Sequence, residues 1–333
     1  KKEFGKNFTS RSEKHLIKMN RKAVIYGISG YMLTKIEKQF LKKVKPWGII
    51  LFSRNIKSID QLKTLISGIK KIFHDKNYPI LIDQEGGRVS RLDKIINLSF
   101  FSQDFFGKLY IKDKKLFYKV YKIYIDAVCD IFKKVGININ TVPVLDVTRK
   151  GAHNVIGDRS FSQKSESVIK IGNICIDIYN KNNIATVIKH IPGHGSAKCD
   201  SHYKTPIIKK NKSELIKKDF KPFRKCKSLF AMTAHAIYSI YDRFNTATHS
   251  KIVIKKVIRN HIYFKGLLIS DDISMKSLKY KLEENAIRAI NAGCNLILHC
   301  NGNMNEMLKL SKVIPVIDDF TQKKTSQFYK FLR

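Results

Sequence analysis

The amino-acid sequence predicts a single-domain α/β fold, a (β/α)8 barrel of the TIM type. Short apolar runs rich in β-branched residues alternate with amphipathic segments of helical period along most of the 333 residues. Continuous apolar runs are typical of parallel strands that are buried on both faces. Eight alternations of strand and helix within about 300 residues fit a closed barrel of parallel strands surrounded by helices.

A doubly wound open sheet is the alternative architecture for alternating strands and helices. That fold normally shows a glycine-rich fingerprint directly after its first strand. The segment at this place, GISGY over residues 27–31, matches the fingerprint poorly. The barrel is therefore the favoured fold.

The predicted strands are short and mostly apolar, as in GIILF and LLIS. In chain order they are Ala23–Gly27, Gly48–Phe52, Pro79–Asp83, Ile137–Val142, Ile184–His190, Leu229–His235, Leu267–Asp271 and Asn295–His299. We expect the barrel to occupy residues 22–333. Residues 1–21 are a basic N-terminal extension that we expect to be partly disordered.

Capping residues mark the starts of the first two predicted helices. Thr34 with Glu37, and Ser58 with Gln61, have the spacing of a capping box, and apolar positions follow each pair. The connection 93–115 after the third strand carries no clear signal. The remaining predicted helices are Phe117–Val135, Glu166–Asn180, Ser213–Lys225, Ser250–Ile262 and Glu283–Ala292.

The composition is strongly basic. Lys and Arg number 64 and Asp and Glu 27, so the formal net charge is +37. A nucleic acid or an anionic membrane is one explanation of such a charge. The lysines nevertheless fall singly or in pairs on almost every segment, without a basic block or an aromatic platform, which favours a lysine-rich coding bias. We expect a monomer with no specific nucleic-acid partner and no membrane partner.

Several sequence features predict a cytoplasmic, folded protein. Hydrophobic residues make up 43% and charged residues 27%, which excludes a disordered chain. The six cysteines include no CxxC pair and are typical of reduced cytosolic thiols. The first 22 residues lack the apolar core of a secretory signal, and no apolar run approaches the ~20 residues of a membrane helix.

Polar side chains stand at nearly every predicted strand end. In a barrel of parallel strands the carboxyl ends converge on one mouth, where the active sites of barrel enzymes lie. This arrangement predicts a functional site at the mouth. The residues are Arg54, Asp83, Asp146, Lys189, His190, His235, Asp271, Asp272 and His299.

Three of these strand ends open onto motifs with chemical meaning. Asp83-Gln84-Glu85-Gly86-Gly87-Arg88 directly follows a strand, and we expect Asp83 to face the mouth and Arg88 to neutralise one of the carboxylates. The sequence SDDISM, residues 270–275, carries two adjacent carboxylates whose side chains diverge, so one can face the mouth while the other caps the next segment. Physical reasoning alone leaves open which one does which, and both motifs are also compatible with plain structural turns.

The segment KHIPGHGSAKCDSH, residues 189–202, opens a long connection of the kind that compact domains keep mainly for function. Asp200 and His202 are two residues apart, so the carboxylate can fix the imidazole tautomer and raise its basicity. A metal site is an alternative, with His190, His194, Cys199 and His202 as ligands, although Lys189 opposes a cation and the spacing fits no familiar pattern. A solvated surface loop is the third interpretation.

At these motifs the chain resembles the bacterial β-N-acetylglucosaminidases of glycoside hydrolase family 3, in their short, single-domain cytoplasmic form. The resemblance runs in order from about residue 22 to about residue 310. It implies a (β/α)8 barrel that hydrolyses a terminal β-linked N-acetylglucosamine with retention of configuration, typically from cell-wall fragments in peptidoglycan recycling. The matching strings are PWGIILFSRN (46–55), LIDQEGGRVSRL (81–92), NVIGDRSF (154–161), KHIPGHG (189–195), DSH (200–202), LISDDISM (268–275) and AGCNLILHCNG (292–302).

The resemblance also implies roles for individual residues. Asp271 would be the nucleophile, His202 the general acid/base and Asp200 the partner of that histidine. No cofactor and no metal are implied. The residues that would bind the sugar are Asp83, Arg91, Arg159, Lys189 and His190.

The sequence departs from the family pattern at two places. Ser196-Ala197 replaces the usual acidic and hydroxyl pair, and Ile191 stands where an aromatic residue is common. These changes bear on loop conformation and rate more than on reaction type. Two alternatives to hydrolysis remain: a phosphorylase that uses the same residues with phosphate as acceptor, and an inactive sugar-binding barrel.

Overall fold

The computed structural model describes residues 20–149, 151, 154–197, 199 and 204–333, and its eight main strands form a closed parallel barrel. The hydrogen-bonded order follows the chain, and the last strand pairs with the first. This confirms the predicted (β/α)8 fold. The barrel strands are β1 (Lys22–Gly27), β2 (Pro46–Leu51), β3 (Ile80–Ile82), β4 (Ile139–Asn140), β5 (Ala185–Ile191), β6 (Phe230–Thr233), β7 (Leu267–Asp272) and β8 (Leu296–His299).

Each predicted strand overlaps an observed one. All residues of β2, β5, β6 and β8 are buried, as the continuous apolar runs indicate for strands covered on both faces. A separate pair of two-residue strands, Ile207–Ile208 and Ile237–Tyr238, lies outside the barrel sheet and has no counterpart among the predicted strands.

Helices follow the strands and cover the outside of the barrel. The described helices are α1 (Lys35–Val44), α2 (Ile59–Ile72), α3 (Gln103–Lys112), α4 (Lys114–Val135), α5 (Ser165–Lys181), α6 (the consecutive turns Lys212–Glu214, Leu215–Phe220 and Lys221–Lys225), α7 (Val253–His261), α8 (Leu282–Ala292), α9 (Met304–Val313) and α10 (Asp319–Phe331). None of them is long and apolar enough to cross a membrane.

The first predicted capping box is confirmed, and the second is half formed. Thr34 accepts a hydrogen bond from the Glu37 backbone N–H, and the Glu37 carboxylate accepts one from the Thr34 backbone N–H. Ser58 likewise caps the Gln61 backbone N–H. The Gln61 side chain, however, accepts from the Lys57 backbone N–H, one residue before the cap.

Helix α10, which the sequence patterns do not predict, closes one end of the barrel. Trp47 near the start of β2 and Phe230 at the start of β6 meet with ring centroids 5.7 Å apart. Phe328 of α10 packs against both rings, and Trp47 Nε1 donates to Thr325 Oγ1 of the same helix at 2.8 Å. The amino-terminal end of the barrel is therefore filled, which leaves the carboxyl-terminal mouth as the open end.

The described chain enters the barrel at its closed end. Arg21 forms an ion pair with Asp75 at 2.7 Å and donates to the Tyr329 hydroxyl at 2.7 Å. Residues 1–19 lie outside the described residues. The division into a 1–21 extension and a 22–333 barrel stays a prediction.

Candidate active site

One pocket at the carboxyl-terminal mouth is lined by all six sequence-predicted site residues that the structure describes. These are Asp83, Arg91, Arg159, Lys189, His190 and Asp271. The space between the lining atoms, including its open entrance, is ≈ 690 Å³, within the size range of small-ligand pockets. The other two predicted site residues, Asp200 and His202, lie outside the described residues.

Asp83 and Lys189 form the charged floor of this pocket. Lys189 Nζ lies 2.5 Å from Asp83 Oδ1 and 2.5 Å from Glu85 Oε1. Asp83 also accepts from Thr141 Oγ1 at 2.6 Å and from Arg91 Nη2 at 2.8 Å. Burial alone would raise the pKa of Asp83, but the Lys189 ammonium and the Arg91 guanidinium hold it well below its usual range. The floor therefore presents an ionised carboxylate beside two cations.

Arg159 is held by the second carboxylate of the DQEGGR motif. Its Nε and Nη2 donate to the two oxygens of Glu85, each at 2.8 Å, which is a bidentate pair. Burial would lower the pKa of Arg159, but the facing Glu85 carboxylate raises it. The guanidinium is fixed in place and stays charged.

The expectation that Arg88 neutralises one of these carboxylates is wrong. Arg88 pairs with Asp158 at 2.7 Å near the surface, and the side chains of both are half exposed. The chain turns at Gly86 and Gly87, whose φ values are +92° and +59°, and this turn directs Arg88 away from the pocket. The carboxylates are instead paired with Arg91, Lys189 and Arg159.

Asp146 organises the start of the 189–202 segment, and the sequence patterns gave it no role beyond its place at a strand end. Its Oδ2 lies 2.6 Å from His190 Nδ1, and its Oδ1 accepts from the His194 backbone N–H at 2.6 Å. Burial would raise the pKa of Asp146, but His190 beside it lowers it. An ionised carboxylate only accepts hydrogen bonds, so His190 Nδ1 carries a proton and the ring orientation is fixed.

The two carboxylates at the end of β7 diverge, and the structure shows which one faces the mouth. Asp271 lines the pocket, and its Oδ1 accepts from the Asp272 backbone N–H at 2.8 Å. Asp272 turns away and accepts from the backbone N–H and the hydroxyl of Ser274 and from the Cys300 backbone N–H. Asp272 therefore caps the turn after β7, and Asp271 is the carboxylate available to a ligand.

The charge state of Asp271 suits a nucleophile. Burial would raise its pKa, but His235, His190 and Lys189 nearby, together with the Asp272 backbone N–H, lower it below the usual range. The carboxylate is ionised at neutral pH. A buried carboxylate kept anionic in a pocket can attack an electrophilic carbon.

His235 forms a hydrogen bond to the backbone at the end of β7. Its Nε2 lies 3.0 Å from the Asp272 carbonyl oxygen, which can only accept, so Nε2 carries the proton. Nδ1 then accepts from Thr248 Oγ1 at 2.7 Å. The sequence marks His235 as a polar strand end, but its partner Thr248 carries no sequence signal.

The metal alternative has limited support among the residues that the structure describes. No group of three or more histidine, cysteine, aspartate or glutamate side chains lies together there in a way that could hold a metal ion. His190, one of the four suggested ligands, already has its Nδ1 bonded to Asp146. His202, another of the four, lies outside the described residues.

Comparison with known proteins places the chain among sugar-cleaving enzymes. Residues 19–326 match the family model "Glycosyl hydrolase family 3 N terminal domain". A beta-hexosaminidase of Psychromonas ingrahamii is 32% identical over 324 residues, covering 92% of this chain and 88% of the relative. The crystal structure of NagZ from Neisseria gonorrhoeae in complex with N-trifluoroacetyl-D-glucosamine has a TM-score of 0.84 and 30% identity, covering 93% of this chain and 90% of that chain. A zinc complex of the same NagZ has a TM-score of 0.83 and 29% identity, covering 93% and 90%.

Proposed function

The chain belongs to glycosyl hydrolase family 3, and from this membership we propose that it is a retaining exo-β-N-acetylglucosaminidase that acts on peptidoglycan fragments. The observation that carries the proposal is an ionised, pocket-facing Asp271 beside an ordered set of cationic side chains at the open mouth of the barrel. The beta-hexosaminidase relatives and the glucosamine derivative bound to the gonococcal NagZ support the substrate class.

Asp271 is the nucleophile of the proposed double displacement. Its carboxylate attacks the anomeric carbon of the bound sugar, the glycosidic C–O bond breaks, and a covalent glycosyl ester forms. His202 donates a proton to the departing oxygen. In the second step His202 removes a proton from water, and the resulting nucleophile releases the sugar from Asp271 with net retention of configuration.

The assignment of the proton donor to His202, with Asp200 as its partner, rests on the DSH motif shared with the family. Glu85 is the other candidate near the pocket. Its carboxylate is buried and paired with Arg159 and Lys189, and although burial would raise its pKa, these cations lower it. A carboxylate held ionised in this way is a poor proton donor, which supports the histidine.

The hydroxyls of the sugar are bound by the charged groups of the pocket. Each hydroxyl both donates and accepts, so it fits between a cation and a carboxylate. Asp83 with Lys189 and Arg91 offers this combination on one side, and Arg159 with His190 extends it. Each of these five side chains is fixed by an ion pair or a hydrogen bond, the first four among themselves and with Glu85, and His190 with Asp146, so the pocket is ordered before substrate arrives.

Paired variants test the function directly. Asp271→Ala should abolish cleavage of 4-nitrophenyl N-acetyl-β-glucosaminide while the protein stays folded, because Asp271 makes no side-chain ion pair among the described residues. Asp272→Ala is the matched control one residue away and should retain cleavage at a reduced rate. Loss of cleavage in Asp272→Ala with activity kept in Asp271→Ala would reverse the assignment.

Product analysis of the wild-type protein separates the remaining alternatives. Hydrolysis gives free N-acetylglucosamine whether or not phosphate is present, whereas a phosphorylase gives the sugar 1-phosphate when phosphate is added. An inactive binding barrel gives neither product. A chelator should leave the rate unchanged, and a loss of activity that zinc restores would support a metal site instead.

A further inference from the structure

His194 is a buried polar residue that the mechanism above does not use. It lines the pocket, is 3% exposed, and neither of its ring nitrogens has a hydrogen-bond partner within the described residues. Buried polar groups are nearly always paired, and leaving one unpaired costs about 1–3 kcal/mol. Within the described part of the chain, both ring nitrogens of His194 are therefore available to a ligand in the pocket.

The imidazole is held in place by its backbone. The His194 N–H donates to Asp146 Oδ1 at 2.6 Å. Gly195 lies so close to the loop after β4 that a Cβ at this position would lie 2.0 Å from the Val147 carbonyl oxygen. On the other side, the Gly193 carbonyl accepts from the buried Tyr238 hydroxyl at 2.6 Å. The backbone that carries the ring is therefore fixed by the protein before any ligand binds.

His194 is uncharged, unlike the lysine, arginine and aspartate side chains of the pocket. Burial lowers its pKa to about 4, so the ring is neutral at neutral pH and offers one donor and one acceptor. The cationic side chains beside it already face carboxylates: Lys189 faces Asp83 and Glu85, and Arg159 faces Glu85. Because these cations are already paired with carboxylates, the neutral donor and acceptor of His194 fits a neutral amide better than it fits an anion.

The location of His194 indicates which part of the substrate it meets. Asp271 and Arg159 line the same pocket as His194, and the ring centroids of His190 and His194 lie 5.8 Å apart. In the proposed reaction Asp271 attacks the anomeric carbon, and the neighbouring ring carbon carries the 2-acetamido group. The amide of the substrate is therefore one ring carbon away from the reacting centre, on the side chain that distinguishes this sugar from glucose.

Resting on the proposed function, we propose that His194 is a specificity-determining residue that hydrogen-bonds the amide of the 2-acetamido group through a ring nitrogen. A site built to pair with a polar group discriminates strongly against an analogue that lacks it, since the buried partner is then left unpaired. His194 would thus contribute to the preference for N-acetylglucosaminides over plain glucosides.

The test compares two substrates in two variants. His194→Leu removes both ring nitrogens, and His194→Gln keeps a neutral donor and acceptor. For His194→Leu we expect kcat/KM on 4-nitrophenyl N-acetyl-β-glucosaminide to fall about 10-fold to 100-fold, with little change on 4-nitrophenyl β-glucoside. His194→Gln should recover part of the loss. Inhibition by free N-acetylglucosamine should weaken in parallel, which gives a readout that does not depend on turnover.

The variants also separate binding from folding. Removing an unpaired buried polar group should leave the melting temperature of His194→Leu unchanged or higher. His249→Leu is the control, because burial lowers the pKa of His249 to a similar value but its side chain does not line the pocket. Equal losses on both substrates, or no loss on either, would overturn the role of His194. A wild-type protein that cleaves neither substrate would refute the proposed function itself.

Discussion

At the scale of single residues, the effect of replacing His202 should depend on the leaving group of the substrate. A sugar alkoxide needs a proton to depart, whereas a nitrophenolate of low pKa leaves without one. His202→Ala should therefore slow the cleavage of a disaccharide by about 10²–10⁴-fold and the first step on an aryl glycoside much less. Breakdown of the covalent intermediate then limits the aryl substrate, and stopped-flow measurement should show a burst of nitrophenolate.

Asp200→Ala is the companion variant and should show a related, weaker pattern. Equal slowing of both substrates by His202→Ala, without a burst, would make His202 a binding residue. The proton donor would then have to be another group, and the pairing of Glu85 with Arg159 and Lys189 argues against that carboxylate.

The buried histidines should make the protein sensitive to acid. Burial lowers the pKa of His194 and of His249 to about 4, below the ordinary value of 6.5 that the unfolded chain restores. The unfolded state therefore binds more protons between these values, and the free energy of unfolding decreases as the pH falls from about 6.5 towards 4. The slope is at most about 1.4 kcal/mol per pH unit for each histidine.

Urea unfolding at pH 7 and pH 5 measures this effect. His194→Leu should lose less stability than the wild type between the two pH values. Identical losses in the wild type and His194→Leu would show that the ring of His194 is not kept neutral by burial.

At the scale of elements, helix α3 holds the loop that carries Arg159. Gln103 of α3 donates to the carbonyls of Val144 and Arg159, and a Cβ on Gly107 would lie 1.7 Å from the Phe161 carbonyl oxygen. The methyl group of Gly107→Ala must therefore push α3 and the Phe161 backbone apart. We expect it to cost about 1–3 kcal/mol in the free energy of unfolding and to weaken binding of N-acetylglucosamine.

Gly68→Ala in α2 is the matched control. It also lies inside a helix, but a Cβ there would meet nothing within 4 Å. Alanine is the better helix former, so Gly68→Ala should raise the free energy of unfolding by about 0.5–1 kcal/mol and leave sugar binding unchanged. If both substitutions destabilise the protein by a similar amount, then the close contact between α3 and Phe161 is not the reason for a glycine at position 107.

The elements also show what sequence patterns can and cannot predict. Strands that are buried on both faces are visible in the sequence as apolar runs, and Thr34 and Ser58 mark the starts of two helices. Most of the barrel could therefore be predicted from the sequence. Helix α3 was not, because its first turn, Gln103–Phe106, follows a phenylalanine-rich stretch with no helical period. The pairing of Arg91 rather than Arg88 with Asp83 depends on the positive φ of two glycines, which a sequence does not display.

At the scale of the whole molecule, the two ends of the barrel differ. The amino-terminal end is closed by α10, and the mouth holds the pocket. The lysines that produce the net charge of +37 are distributed along almost the whole chain. One groove beside the closed end, between α2 and α4, is lined by Lys63, Lys70, Lys71, Lys76, Lys133 and Lys134. Four of these are in the last turns of the two helices, where positive charge complements the helix dipole.

The charge should therefore give only weak, salt-sensitive binding to polyanions. A fluorescent oligonucleotide should bind at low ionic strength through counterion release and dissociate at about 0.15 M salt. Fluorescence anisotropy across a salt series measures this. Tight, saturable binding at physiological salt would mean that the basic surface has a nucleic-acid partner.

The proposed mechanism depends on the identity of the nucleophile, and trapping of the covalent intermediate identifies this residue. A fluorinated, slowly reacting N-acetylglucosamine derivative should inactivate the enzyme and add the mass of one sugar to the peptide GLLISDDISMK, residues 266–276. Fragmentation of that peptide should locate the sugar on Asp271. A sugar attached to Asp272 or to any other residue, or turnover with inversion and no covalent adduct, would contradict the proposed mechanism.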